Sequence, residues 1–444
     1  MVLTIFDFLL IPIYLLVIYY YASRIQYKNI KDKPLYKWYT KGLMVKVSGA
    51  VAVCLIYQLY YSGGDTINYY ESSKAIANLL YKDSYMFWDV ITGNNSSENF
   101  SYFDSTTGYP VYWRDDKTVY AARLFVPLYF LSFQSFVVMA ILLSWICYTG
   151  IWRLFLLFND VFPPLEKQFA ISFLFIPSVV FWGSGLLKDT VTLSAVGWYT
   201  YHFYFFFIKK EYKVSSAFFI FFAAYLLIGI KPYILFALLP GSIIWLSNER
   251  LKKIQSKLSR SIAAPFFISI GVGLGFFVLS QMGDILGVYS VDKVLDKAVA
   301  SNMDQKQEYY GGNSFDIGDF DATLTGTMSK AHLAIAATLF RPYLWDAKNP
   351  VMLLSAFENT YILLLTLFLL IKLKFLGFFA LIGENPLLLF SVLFSLFFAF
   401  SVGLATSNFG SLVRLKIPCI PFFVSSLFVL KYLYEKNAKI KPRF

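Results

Sequence analysis

Residues 387–406 read LLLFSVLFSLFFAFSVGLAT, a run with no charged side chain in it. A helix needs about 20 apolar residues to cross the ~30 Å hydrocarbon layer of a bilayer, so this stretch is built for lipid. Working outward, ten further runs of the same kind appear, at roughly 3–22, 43–62, 134–156, 169–183, 190–208, 215–229, 233–247, 262–281, 351–371 and 417–434. The members between 169 and 247 are short, which leaves one pair there open to a re-entrant reading. Composition agrees with the runs. Of 444 residues, 58% are apolar, 20% aromatic and 15% charged, with a mean hydropathy of +0.58. A soluble domain runs nearer half apolar and a quarter charged. The expected fold is therefore all-α, a polytopic integral membrane protein of about eleven transmembrane helices forming a single domain over 1–444. Cys54, Cys147 and Cys419 all fall inside apolar runs, so neither a disulfide framework nor a zinc site is expected.

Sidedness follows from the basic residues, because short Lys- and Arg-rich loops stay in the cytoplasm. Segment 23–42 carries Arg24, Lys28, Lys31, Lys33, Lys37 and Lys41; segment 248–261 carries Arg250, Lys252, Lys253, Lys257 and Arg260. The tail adds Lys436, Lys439, Lys441 and Arg443. With these inside, eleven crossings put the N-terminus outside and the C-terminus in the cytoplasm. Two large outer loops result, at 63–133 (with interfacial helices) and 282–350. The net charge of +12 is then mostly topology, and a nucleic-acid partner is not expected.

Polar groups placed where they cost free energy are the informative ones in such a chain. Four sets stand out, all on the outer side. In Gly63-Gly64-Asp65-Thr66-Ile67-Asn68-Tyr69-Tyr70 the glycines allow a tight turn after the second run. Asp65 then opens a stretch to about Leu80 that reads as an interfacial helix. A carboxylate there could take a proton from an attacking hydroxyl or ligate a divalent cation, the one cofactor these residues point to. It could equally cap its own helix. The second set is Trp182-Gly183-Ser184-Gly185-Leu186-Leu187-Lys188-Asp189-Thr190. Free backbone N–H groups and Lys188 offer an anion a berth there, unless this is a plain turn with Lys188 and Asp189 facing water.

The third set is Lys231, Arg414 and Lys416, cations in the shortest outer turns, where the inside rule should exclude them. With Lys188 they face a single acid, Asp189, in those turns, so a bound anion is a natural partner; the alternative is snorkelling to headgroups. The fourth is Arg341, in Thr338 to Asp346, followed by Glu358-Asn359 inside the ninth run. Glu358 lies where an unpaired carboxylate is expensive, and Arg341 is its expected partner, directly or across a ligand. His202 and His332 have no companions at metal-binding spacing, and no nucleotide-binding, HExxH or serine-elbow motif is present.

This pattern resembles the C-superfamily (GT-C) glycosyltransferases and the related polysaccharide polymerases of bacterial envelope loci. In that group an aspartate sits in the first large outer loop, on an interfacial helix after an early span, and a cationic outer rim binds the phosphate of a polyprenyl-linked sugar. Asp65 in GGDTINYY matches the aspartate in place and neighbourhood. Lys188, Lys231, Arg341, Arg414 and Lys416 match the rim, with Asp189 and Glu358 as supporting groups. Asp65 departs from the pattern in following the second run and in lacking a paired acidic motif. The resemblance implies sugar transfer or polymerisation at the outer face of the plasma membrane, from a polyprenyl (di)phosphate donor, with membrane lipids and envelope-biosynthesis proteins as partners. Two other classes compete: a transporter or flippase of an anionic lipid or glycan, toward which Glu358 leans, and a non-catalytic subunit of an envelope assembly complex.

Overall fold

The computed structural model describes residues 5–251, 293–307 and 313–440. The expected run 262–281, most of the basic segment 248–261 and the start of the second outer loop lie outside them. About 80% of the described residues are helical, with no strand among them. Ser314 and Asn408 form an isolated antiparallel bridge.

In chain order the helices used below are α1 (Ile5–Asn29), α2 (Tyr39–Leu59), α3 (Asp65–Lys82), α4 (Ser84–Thr92), α5 (Asp116–Leu131), α6 (Phe136–Val161), α7 (Pro177–Trp182), α8 (Lys188–Phe203) and α9 (Val214–Ile230). They continue as α10 (Pro232–Leu251), α11 (Val294–Gln305), α12 (Ala331–Phe340), α13 (Pro350–Glu384), α14 (Pro386–Ala405), α15 (Phe409–Leu415) and α16 (Ile420–Ile440).

Five membrane-length apolar helices are present among the described residues: α1, α2 with the short turn before it, α6, α13 and α14. A sixth exists if α15 and α16, bent by 67° at their junction, form one broken span. Lipid is the solvent their surfaces suit. On α1, Phe6 and Phe8 are 73% and 76% exposed, and on α13 Leu376 is 82% exposed. Water would penalise such area by about 25 cal/mol per Å²; acyl chains would not. α13 breaks at Lys374, whose φ is 57°. Up to that break, residues 350–373 rise about 36 Å, enough for one crossing.

The run at 169–183 is not one helix. A π-helical turn over Ile171–Phe175 ends at Ile176 in extended backbone, and α7 starts at Pro177. Proline disfavours the helical region for the residue before it and cannot donate to the preceding turn. The run at 190–208 appears as α8 followed by a π-helical turn, Tyr204–Ile208.

The chain divides into two compact units, the first comprising Met1–Leu156, Val179–Tyr199 and Phe221–Lys231, the second Leu157–Ser178, Thr200–Ile220 and Pro232–Phe444. In the first, α3 lies on α5, with the rings of Tyr69 and Phe125 edge to face at 5.9 Å and Ser73 Oγ donating to the Ala122 carbonyl at 3.0 Å. α6 and α8 cross in backbone contact: a side chain at Gly150 would strike the Ser194 carbonyl, and one at Gly197 the Gly150 carbonyl. Small residues at a crossing are how helices approach closely where lipid gives no hydrophobic drive. In the second unit, α14 is the central helix, packed by α10, α11, α12 and α16 around buried Phe390, Phe394 and Phe398.

Candidate functional site

In the first unit, Asp65 is the first residue of α3. The residue capping the helix is Gly64, which supplies no side-chain hydrogen bond, so Asp65 does not serve as the cap. Gly64 holds φ at 110°, and a Cβ there would lie 2.8 Å from the Tyr57 ring; both facts require glycine. Asp65 is thus delivered to the N-terminal end of α3, where the helix dipole favours its negative charge. Tyr69 follows one turn later on the same face, and Lys188 Nζ lies 5.8 Å from its ring centre.

Lys188 does not pair with its sequence neighbour Asp189. Its Nζ donates to Thr118 Oγ1 at 2.9 Å and lies 3.6 Å from Asp115 Oδ2, both at the start of α5. Burial pushes the Asp115 carboxyl up, but Lys188, the Thr118 hydroxyl and two backbone N–H groups outweigh it and hold the group below its ordinary value. Asp189 is fully buried and accepts from Lys231 Nζ at 2.5 Å. Lys231 therefore has its anion inside the protein.

The turn between α7 and α8 departs from the expected anion berth. Residues 183–187 are buried, and the N–H groups of Gly183, Ser184 and Leu187 bond to the carbonyls of Val179, Phe181 and Gly185. The turn's carbonyls are bound too. Lys46 of α2 donates to Gly183, Ser144 to Ser184 at 2.6 Å, and Thr190 to Gly185 at 2.6 Å. What the turn contributes outward is the Lys188 side chain.

In the second unit, Arg341 pairs with Asp346, not with Glu358. Its Nε and Nη2 each donate to a carboxylate oxygen at 3.1 Å, and its guanidinium carbon lies 5.4 Å from the Phe315 ring, 5.5 Å from Tyr343 and 5.1 Å from Phe409. The Ser314–Asn408 bridge brings Phe315 and Phe409 together, with their N–H groups donating across it. Glu358 instead accepts from Ser178, from its N–H at 3.0 Å and its Oγ at 2.6 Å. Lys416 is fully buried and donates to Asn359 Oδ1 at 2.7 Å and to the Arg341 carbonyl at 3.0 Å. Asn359 also donates to the Pro342 carbonyl at 3.2 Å. One asparagine thus ties together the Arg341 turn, the Glu358 helix and Lys416. Arg414 lies in α15, half-buried.

The expected residues therefore gather as two sets: Asp65, Lys188, Asp189 and Lys231 in the first unit, and Arg341, Glu358, Arg414 and Lys416 in the second. Sequence reasoning missed Asp115, Lys46 and Ser178. Lys46 carried a signal, being the only charge within 43–62. Asp115 and Ser178 carried none, since their roles exist only through distant partners. His202 stacks on Phe219 at 4.8 Å and meets Ser216 Oγ at 3.2 Å, a packing role. Among the described residues no three His, Cys, Asp or Glu side chains are grouped so as to hold a metal ion.

No family model matches this chain, and no curated protein or solved structure shows significant similarity to it.

Proposed function

We propose that the chain is a multi-pass plasma-membrane protein of about eleven spans, its N-terminus outside and its C-terminus cytoplasmic, which transfers or polymerises polyprenyl-(di)phosphate-linked sugars at the outer face. The observation that carries this reading is the placement of Lys188 over Tyr69, one turn along α3 from Asp65. A carboxylate at a helix start and a cation on the same helix face are the two charges that glycosyl transfer from a lipid phosphate needs. Asp65 takes the proton of the acceptor hydroxyl. Lys188 meets the negative charge that develops on the departing phosphate. Lys231, Arg341 and Lys416 have their head groups engaged by Asp189, Asp346 and Asn359, so they hold the turns in place.

The test uses the purified full chain in nanodiscs with a radiolabelled polyprenyl-diphosphate sugar and an acceptor glycan. Asp65→Asn is expected to lower transfer by about 10²-fold or more with only a small drop in melting temperature, because Asp65 does not cap α3 and the variant gives up only a charge at the helix start. Transfer by the Asn variant at the wild-type rate rejects the assignment.

One observation favours a second reading, transport of an anionic lipid or glycan. Glu358 lies in a membrane-length helix and binds Ser178, beside the helix break at Ile176–Pro177. Buried acids at broken helices are a transporter's device. Movement of the labelled lipid across the bilayer without sugar transfer, abolished by Glu358→Gln, selects this reading over the first.

A further inference from the structure

Arg123 stands in the middle of α5. Its Nε and Nη2 are screened from solvent and have no hydrogen-bond partner among the described residues. These two nitrogens form one edge of the guanidinium, the same edge with which Arg341 grips both oxygens of Asp346. A geometry that this chain elsewhere matches to a carboxylate is thus unmatched at Arg123. Burial pulls the Arg123 pKa below its ordinary value, and Asp116, two turns back, only opposes this at a distance. Charged donors without acceptors are costly to a folded protein, so an unmatched fork points to a ligand.

The surroundings fit one. Tyr120, three residues earlier and so on the same stripe of α5, packs against Gly229 and meets the Tyr225 ring at 6.0 Å. Lys117, on the preceding turn, donates to the Ile228 carbonyl at 3.0 Å. The seam between α5 and the end of α9 therefore carries Lys117 and the rings of Tyr120 and Tyr225, with Arg123 one turn further along α5. Because the two nitrogens are screened, an incoming group must displace a neighbour.

We propose that the Nε–Nη2 edge of Arg123 binds an oxyanion presenting two oxygens side by side, a phosphate or carboxylate borne by a lipid or glycan. Planar, bidentate recognition of this kind is what arginine supplies and lysine does not. The proposal is independent of any catalytic role for Asp65.

The experiment uses the full chain in phosphatidylcholine nanodiscs and three probes: inorganic pyrophosphate, glucuronate, and phosphatidylglycerol mixed into the bilayer. Thermal unfolding is followed with and without each. At least one probe is expected to raise the wild-type melting temperature. Arg123→Lys, which keeps the charge and loses the fork, should weaken that probe about tenfold or more, and Arg123→Met should abolish the response. The probe that acts identifies the source: phosphatidylglycerol a headgroup, pyrophosphate a phosphorylated ligand, glucuronate an acidic sugar. Without probe, Arg123→Met should melt at or above the wild-type temperature, since it removes two screened donors that have no acceptor among the described residues. Asp65→Asn should respond to the probes as wild type does. A wild-type protein that answers none of the three overturns the proposal, and so does an Arg123→Met variant that answers them unchanged. A Met variant that melts well below wild type without probe marks a structural guanidinium and overturns it as well.

Discussion

Lys231 in the first unit and Lys416 in the second start from the same position in sequence logic: each is a cation in a tight turn between apolar runs. Both are buried, at 7% and 0% exposed, yet they are satisfied differently. Lys231 is met by a full negative charge, Asp189. Lys416 is met by two neutral oxygens, of Asn359 and of the Arg341 backbone. The difference teaches that a cation in an outer turn is not by that fact waiting for an external anion. Whether it is available depends on what the fold brings to it from elsewhere in the chain, and here the fold uses both as internal fasteners.

The largest expected effect comes from breaking the charged pair. Asp189→Asn leaves Lys231 buried opposite a neutral amide, and removal of one partner from a buried pair costs about 3–5 kcal/mol. The loss should appear as a large drop in the melting temperature in detergent. Replacing both residues with apolar ones, Asp189→Leu with Lys231→Met, should recover most of it, because no charge is then stranded. If the single Asn variant melts as wild type does, Lys231 reaches another acceptor and the contrast with Lys416 fails.

Lys416→Met should cost less, about 2 kcal/mol, since it removes two hydrogen bonds from a charged donor to neutral acceptors, while Glu358, whose charge Lys416 also meets, keeps both bonds from Ser178. Asn359→Ala should give a comparable loss by removing one of those acceptors. An effect of Lys416→Met as large as that of Asp189→Asn would show that Glu358 depends on the Lys416 charge. Smaller again is Asp346→Asn. The Arg341 side chain is 25% exposed, so water replaces part of what the carboxylate gave, and about 1 kcal/mol is expected.

What could be read in sequence and what could not divide along the same line. The helices α6, α13 and α14 follow from local hydropathy, and the start of α3 from paired glycines before a polar-apolar alternation. The break before α7 was legible in Pro177, whereas α13 continues past the end of its apolar run at 371, and nothing local singles out Lys374 over Lys372 as the place where it breaks. The pairings were not legible. Asp189 and Lys231 are 42 residues apart, and neither hydropathy nor periodicity says which acid a distant lysine will meet. Proximity in sequence misled in two ways. Lys188 beside Asp189 pairs with Asp115 instead. Arg341, offered Glu358 in the next helix, takes Asp346 within its own turn.

The smallest effect is also the one that best separates charge from geometry. Asp115 contacts Lys188 and, through Oδ1, accepts from the Lys117 N–H at the start of α5. Its folded pKa lies below the ordinary carboxylate value near 4. A depressed carboxyl pKa contributes stability that is fully present above the unfolded value and is lost as pH falls through the folded one. The side chain is 52% exposed, so solvent screening limits the contribution to about 0.5 kcal/mol. Asp115→Asn keeps the capping hydrogen bond from the Lys117 N–H, since asparagine caps as well as aspartate, and removes the charge together with the oxygen that accepts from the Thr118 hydroxyl. The melting temperatures of the two proteins should therefore differ slightly at pH 7 and converge as the pH is lowered below about 4. Lys188→Met should shrink the neutral-pH difference, because the main opposing charge is gone. A gap that persists undiminished in acid would assign the role of Asp115 to shape and hydrogen bonding.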